Sequence, residues 1–121
     1  MTQNVGQLIE ETMHSYYEYI VKIESGCTVI AKAFETGDIA TGVQGIQAFS
    51  EGLSWLVEIE NLMQLHSYRI NSPVGKVIPL FEKINVALEA GDFATVSVLF
   101  ENKLKPLFQN ASEWKFEKAV S

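Results

Sequence analysis

Few residues in this chain have the types and spacing that chemistry needs. Glu11-Thr12-Met13-His14 is an E-x-x-H, which on a helix brings a carboxylate and an imidazole to one face. Carboxylate-bridged metal bundles use two such pairs with two further glutamates. The second histidine, His66, has Met63 three residues before it, so half of that ligand set is missing. No metal site is predicted, and His14 is expected to be a partly exposed helix residue. Cys27 is the single cysteine; no histidine or basic residue stands close by in sequence to depress its pKa, and it reads as a small buried hydrophobe. There is no glycine-rich phosphate loop, no G-x-S-x-G and no zinc-ligand spacing. Serine nucleophiles would have only two histidines to draw on as bases. No catalytic residues and no cofactor are predicted.

A different pattern marks the second quarter of the chain. Thr41, Gly45, Ala48, Gly52 and Trp55 recur at steps of 4-3-4-3, a small-residue stripe beside an apolar seam. Gly42, Gly45 and Gly52 each cost about 0.8–1 kcal/mol against alanine inside a helix, so close approach of something must offset them. Three occupants fit the stripe: the tyrosines of the first helix, a second helix from a twin subunit or a client, or a small molecule. Thr41, Gly45, Ala48, Gly52 and Trp55 are therefore the candidate partner groove.

The elements that would position these residues are helices, for no strand-like alternation is visible. Ile9, Met13, Tyr16, Ile20, Ile23, Cys27, Ile30 and Phe34 form a heptad seam with steps of 4-3-4-3-4-3-4, the geometry of helices crossing at about 20°. It stops at Thr36-Gly37-Asp38, a glycine for the helix end and an aspartate for the next N-cap. A second helix over about 39–66 carries Ile46, Phe49, Leu53, Leu56 and Met63. Glu60 falls where this seam needs an apolar residue, so either the seam slips onto Ile59 or Glu60 is paired. Residues 67–72 read as a loop, with Ser72-Pro73 as N-cap and first helical position. Val77, Phe81, Ile84 and Leu88 make a third helix, with Pro79 kinking it or delaying its start. Phe93, Val96, Phe100, Leu104, Leu107, Ala111 and Trp114 make a fourth, which Pro106 should bend or split.

Residues 33–41 (AFETGDIAT) and 87–95 (ALEAGDFAT) agree at six of nine positions, 54 residues apart. Convergence on a good helix–helix turn and duplication of a hairpin both account for this. Tetratricopeptide arrays repeat at about 34 residues and do not fit. The expectation is an all-α, up-down-up-down four-helix bundle: one domain over 1–121, built from similar hairpins at 1–66 and 73–121.

Composition narrows the partners. The 121 residues carry 15 acidic and 9 basic side chains, a net −6, which disfavours nucleic acid. No run reaches the roughly 18 apolar residues of a membrane span, and the start MTQNVGQ is unlike a secretory signal. A cytoplasmic protein without membrane contact is expected. Residues 1–66 hold 9 acidic and 2 basic side chains, net −7; residues 67–121 hold 6 and 7, net +1. The acidic half reads either as a solvated face or as a surface that steers a basic partner.

The order of parts resembles the bacterial flagellin-export chaperones, with Ser25-Gly26-Cys27, Gly37-Asp38-Ile39, Ala90-Gly91-Asp92 and Trp114-Lys115 in comparable places. That family's N-terminal Ser-Pro segment and Leu-Tyr signature are absent. The chain also resembles uncharacterised small helical-bundle proteins of Gram-positive bacteria. The first resemblance implies a four-helix bundle that holds a protein client. A non-enzymatic protein–protein interaction module is expected, with another protein or a second copy (a homodimer) as partner. The alternative is a ligand- or metal-binding bundle using Glu11, His14 and the tyrosines.

Overall fold

The seam of the first predicted helix becomes a single helix, α1 (Val5–Glu35), in a computed structural model that describes residues 5–119. Residues 1–4 and 120–121, the outer ends of the two predicted hairpins, lie outside the described residues. Tyr16, Ile20, Ile23, Cys27, Ile30 and Phe34 are buried, while Ile9 and Met13 are half-buried near the N-terminal end. Gly26 does not interrupt α1. The chain reverses at Gly37, whose φ of 85° suits a residue without a Cβ. The Asp38 N–H donates to the Ala33 carbonyl (2.8 Å) and the Gly37 N–H to Phe34 (3.3 Å), a Schellman closure. The Asp38 carboxylate then accepts the Thr41 N–H and caps α2 (Ile39–Leu65).

The second hairpin repeats this turn. Gly91 has φ 72°, the Asp92 N–H donates to Ala87 (2.9 Å), and the Asp92 side chain accepts from the Thr95 N–H (3.2 Å) and hydroxyl (2.6 Å). Both Gly-Asp turns are exposed. They join α3 (Val74–Glu89) to α4 (Phe93–Val98) as they join α1 to α2.

The chain departs from the predicted elements at four places. Residues 67–72 are not all loop: Tyr68–Ile70 forms β1, antiparallel to β2 (Phe116–Lys118), with Ile70 opposite Phe116 and Tyr68 opposite Lys118. Strands of three residues are too short to show alternation. Pro73 occupies the cap position rather than the first turn, and the Val74 N–H reaches the Ser72 hydroxyl (3.4 Å). Pro79 lies inside α3, which starts at Val74 and not as late as Ile78.

The fourth departure is the predicted long last helix. α4 gives way to a π-helical turn (Leu99–Leu104), then to 3₁₀ turns (Lys105–Phe108 and Ala111–Glu113). Pro106 has no N–H to give, and the Lys105 N–H reaches back five residues to the Phe100 carbonyl. The wider turn suits a sequence whose buried residues, Val96, Phe100, Leu104 and Phe108, recur every four positions. Phe108 is thus buried where Leu107 was expected, and Leu107 is only half-buried.

The fold is all-helical apart from this small sheet. α1 lies against α2, α4 and the helical turns after it, while α3 lies mainly against α4 and the π turn. Phe49 of α2 stacks on Phe81 of α3 (5.6 Å) and meets Phe100 edge-on (5.7 Å), joining three elements at one aromatic node. Phe34 stacks on Phe93 (5.7 Å) where the two turns approach.

Candidate functional site

Gly42, Gly45 and Gly52 face α1. A Cβ built at Gly42 would stand 2.6 Å from the Phe34 ring, one at Gly45 would stand 2.6 Å from Ile30 Cγ1, and one at Gly52 would collide with the Tyr19 hydroxyl. These glycines let the two helices of the hairpin approach within the chain. Trp55 continues the same contact, its ring 5.6 Å from Tyr19 and 6.5 Å from Tyr16. Thr41 and Ala48 are exposed, and Thr41 serves the turn by donating its N–H to Asp38. The five residues of the stripe therefore divide: Gly45, Gly52 and Trp55 support the α1–α2 contact, while Thr41 and Ala48 look outward.

Close approach of the backbones leaves a groove along the outer side of that contact. It encloses about 360 Å³ and is lined by Ile23, Val29 and Ile30 of α1 and Phe49 of α2, with Gly26, Gly45 and Ala48 beneath. Tyr19 and the stem of Lys22 close one end. Gly26 is the residue that the small-residue stripe did not include. It is exposed, and a Cβ there would meet nothing within 4 Å. Unlike the three glycines of α2, it has among the described residues no neighbour that its lack of a side chain accommodates. Val29 is 60% exposed beside it, and Val21, one turn before Ser25, is 50% exposed.

Two larger clefts are built differently. One beside β1–β2, about 870 Å³, is lined by Arg69, Asn71, Glu113, Lys115 and Glu117; another between α1 and α4, about 750 Å³, includes Lys32, Thr36, Ser97 and Glu101. Polar side chains make up most of the lining of both. The α1–α2 groove is the apolar concavity, which is why it is the candidate for recognition.

The groups singled out for chemistry lie elsewhere. His14 Nε2 stands 2.8 Å from Glu18 Oε1 on the exposed side of α1. Among the described residues, no three His, Cys, Asp or Glu side chains are grouped to hold a metal ion. Cys27 is fully buried, and burial pushes its thiol up to about 12, with Glu101 adding to the rise. Its thiolate, the nucleophilic form, is thereby suppressed. Glu60 satisfies both readings of the sequence: Ile59 takes the buried position, and Glu60 Oε2 accepts the hydroxyls of Tyr16 (2.6 Å) and Ser72 (2.8 Å). Burial first, then this bond to a carboxylate, raises the Tyr16 phenol far above its ordinary range. Tyr17 accepts the Phe116 N–H (2.9 Å) and carries the Lys115 ammonium 4.4 Å above its ring, so β2 is held against α1.

The sequence matches the family described as Domain of unknown function (DUF8042) over residues 11–113. The chain belongs to the DUF8042 family. The match takes in both Gly-Asp turns, every residue lining the groove, the Tyr16–Glu60–Ser72 cluster and Tyr17; Lys115 and β2, which Tyr17 holds, follow it. No curated protein and no solved structure gives a match. Among the described residues, no helix is long and apolar enough to cross a membrane.

Proposed function

We propose that this chain is a non-enzymatic protein–protein interaction module whose docking surface is the α1–α2 groove. The observation that carries the reading is Gly26. An exposed mid-helix glycine costs about 0.8–1 kcal/mol against alanine, and among the described residues nothing stands within 4 Å of where its Cβ would be to offset that cost. A partner that approaches the α1 backbone through this gap would do so. The exposed Val29 beside it supplies apolar area of the kind that recognition surfaces bury. The helices read as an up-down-up-down four-helix bundle of two hairpins, a cytoplasmic adaptor, structural subunit or export-chaperone-like protein; the resemblance to flagellin-export chaperones supports that class. The partner is another protein or a second copy of the chain.

The test is affinity capture from host extract with the parent and with Ala48→Leu, which fills the groove from an exposed position. The reading expects at least one protein held by the parent and lost by the variant, or a parent dimer that the variant makes monomeric in light scattering. Identical retained proteins and identical mass for both would remove the groove from the account.

A further inference from the structure

We infer that β2 fills a strand-binding site which, as protein concentration rises, takes the same segment of a second copy instead, so that two chains join by exchanging residues 115–119. The site shares no residue with the α1–α2 groove, and the inference does not rest on the reading above. Three tyrosines receive the segment. Phe116 lies edge-on to Tyr16 (4.9 Å), the Lys115 ammonium stands 4.4 Å from the Tyr17 ring centre, and that of Lys118 stands 5.9 Å from the centre of Tyr68. The Tyr17 hydroxyl accepts the Phe116 N–H (2.9 Å), and the Ser67 carbonyl accepts the Ala119 N–H (2.6 Å), with the ladder to β1 between them. An extended segment reading Lys-Phe-x-Lys is thereby specified in both composition and direction.

The acceptor is held by bonds that do not involve its occupant. Glu60 accepts the Tyr16 and Ser72 hydroxyls (2.6 and 2.8 Å), which ties the Tyr16 ring and the residues just after β1 to α2. Tyr17 is carried by α1, and the family match over 11–113 contains all of these acceptor residues and stops before β2. The occupant is held lightly. Within residues 115–119 Phe116 alone is buried, while Lys115, Glu117 and Lys118 are exposed. A sheet of two three-residue strands is marginal by itself, and a segment with one buried anchor belongs to the parts of a fold that open first. Trp114 marks the hinge. Its N–H donates to the Ala111 carbonyl (3.1 Å), its ring lies 5.6 Å from Phe108, and its backbone is already extended (φ −74°, ψ 128°). Residues 115–119 therefore leave without unwinding a helix. A closed chain and an exchanged pair make the same contacts, so the balance between them follows protein concentration.

The test mixes two variants of the full chain, Arg69→Cys and Glu117→Cys, in a glutathione redox buffer and maps the disulfides by mass spectrometry. These positions face each other across β1 and β2, and both side chains are exposed, so the core is untouched. Cys27 is buried and stays out of the reaction. Exchange should give a 69–117 link between chains that rises with protein concentration and exceeds the collisional 69–69 and 117–117 links by about tenfold. Excess synthetic peptide of residues 113–119 should suppress that link by about tenfold, and the same peptide with Phe116→Ala should not. A chain carrying both substitutions should close within itself at low concentration. Closure of that double variant with no 69–117 link between chains would mean that β2 never leaves, and would overturn the inference. Failure to close would overturn the pairing it builds on. Links in the ratio of random collision, a link untouched by the parent peptide, or equal suppression by both peptides would overturn the specific site. Adding Ala48→Leu to both chains should leave the link as it was; its loss would assign the association to the α1–α2 groove and overturn the exchange while supporting the interaction reading.

Discussion

Four glycines stand inside the helices of the first hairpin between residues 26 and 52, and the space around each sets what a side chain would do there. Gly42, Gly45 and Gly52 are filled over by Phe34, Ile30 and Tyr19, whereas Gly26 opens on nothing within 4 Å. Gly26→Ala should therefore stabilise the fold by about 0.8–1 kcal/mol, the ordinary helix-propensity gain. Gly45→Ala should destabilise it by about 1–3 kcal/mol, the cost of overpacking. Urea unfolding of the two variants checks both signs; a gain at Gly45 would mean that α1 and α2 are not in contact there. Cys27 gives a pH prediction. Burial pushes its thiol up to about 12 from an ordinary 9.0, so between those values the folded chain holds a proton that the unfolded chain has released. The thiol's contribution is complete below pH 9 and falls as pH rises through that window, by up to about 1.4 kcal/mol per pH unit. Parent stability should thus drop more steeply than that of Cys27→Ala from pH 9 upward, and parallel curves would mean an exposed thiol. A thiol reagent should likewise react slowly until denaturant is added.

At the scale of elements, the two Gly-Asp turns are the same device used twice. Gly37→Val and Gly91→Val should each destabilise by more than about 1 kcal/mol, because a β-branched residue resists a positive φ. Melting temperatures indistinguishable from the parent would refute the closure described at Gly37 and Gly91. These turns, α1 and α2 were legible in the sequence because their signals are local and repeated: a seven-residue seam, and a glycine–aspartate pair with one structural meaning. What escaped notice depends on partners far away in the chain. β1 exists because β2 returns 46 residues after Ile70 to pair with it, and nothing within either three-residue strand announces that. The π turn follows from the missing N–H of Pro106 together with burial every fourth residue, and the proline alone indicated only that the helix would change. Tyr17→Phe removes the acceptor of the Phe116 N–H. Amide exchange at Phe116 should speed up while exchange in α1 stays as it was, and unchanged exchange at Phe116 would mean that the ring contacts alone hold β2.

For the whole molecule, the candidate site was partly legible. The small-residue stripe on the second helix pointed to the correct hairpin, yet three of its members serve the chain's own packing and only Ala48 opens to the groove from the exposed side. Gly26 escaped the stripe because its meaning lies in what is absent around it, and spacing along one helix cannot display an empty space beside another. The charge division was visible in the sequence and falls on the hairpin of α1 and α2. The central claim is that Gly26 is kept for a partner at the expense of the helix. The measurement that tests it most directly is the urea midpoint of Gly26→Leu read alongside its retention of the protein captured by the parent. The account predicts a higher midpoint with the same denaturant dependence and loss of the captured protein. A lower midpoint, or a higher one with capture unchanged, would contradict it.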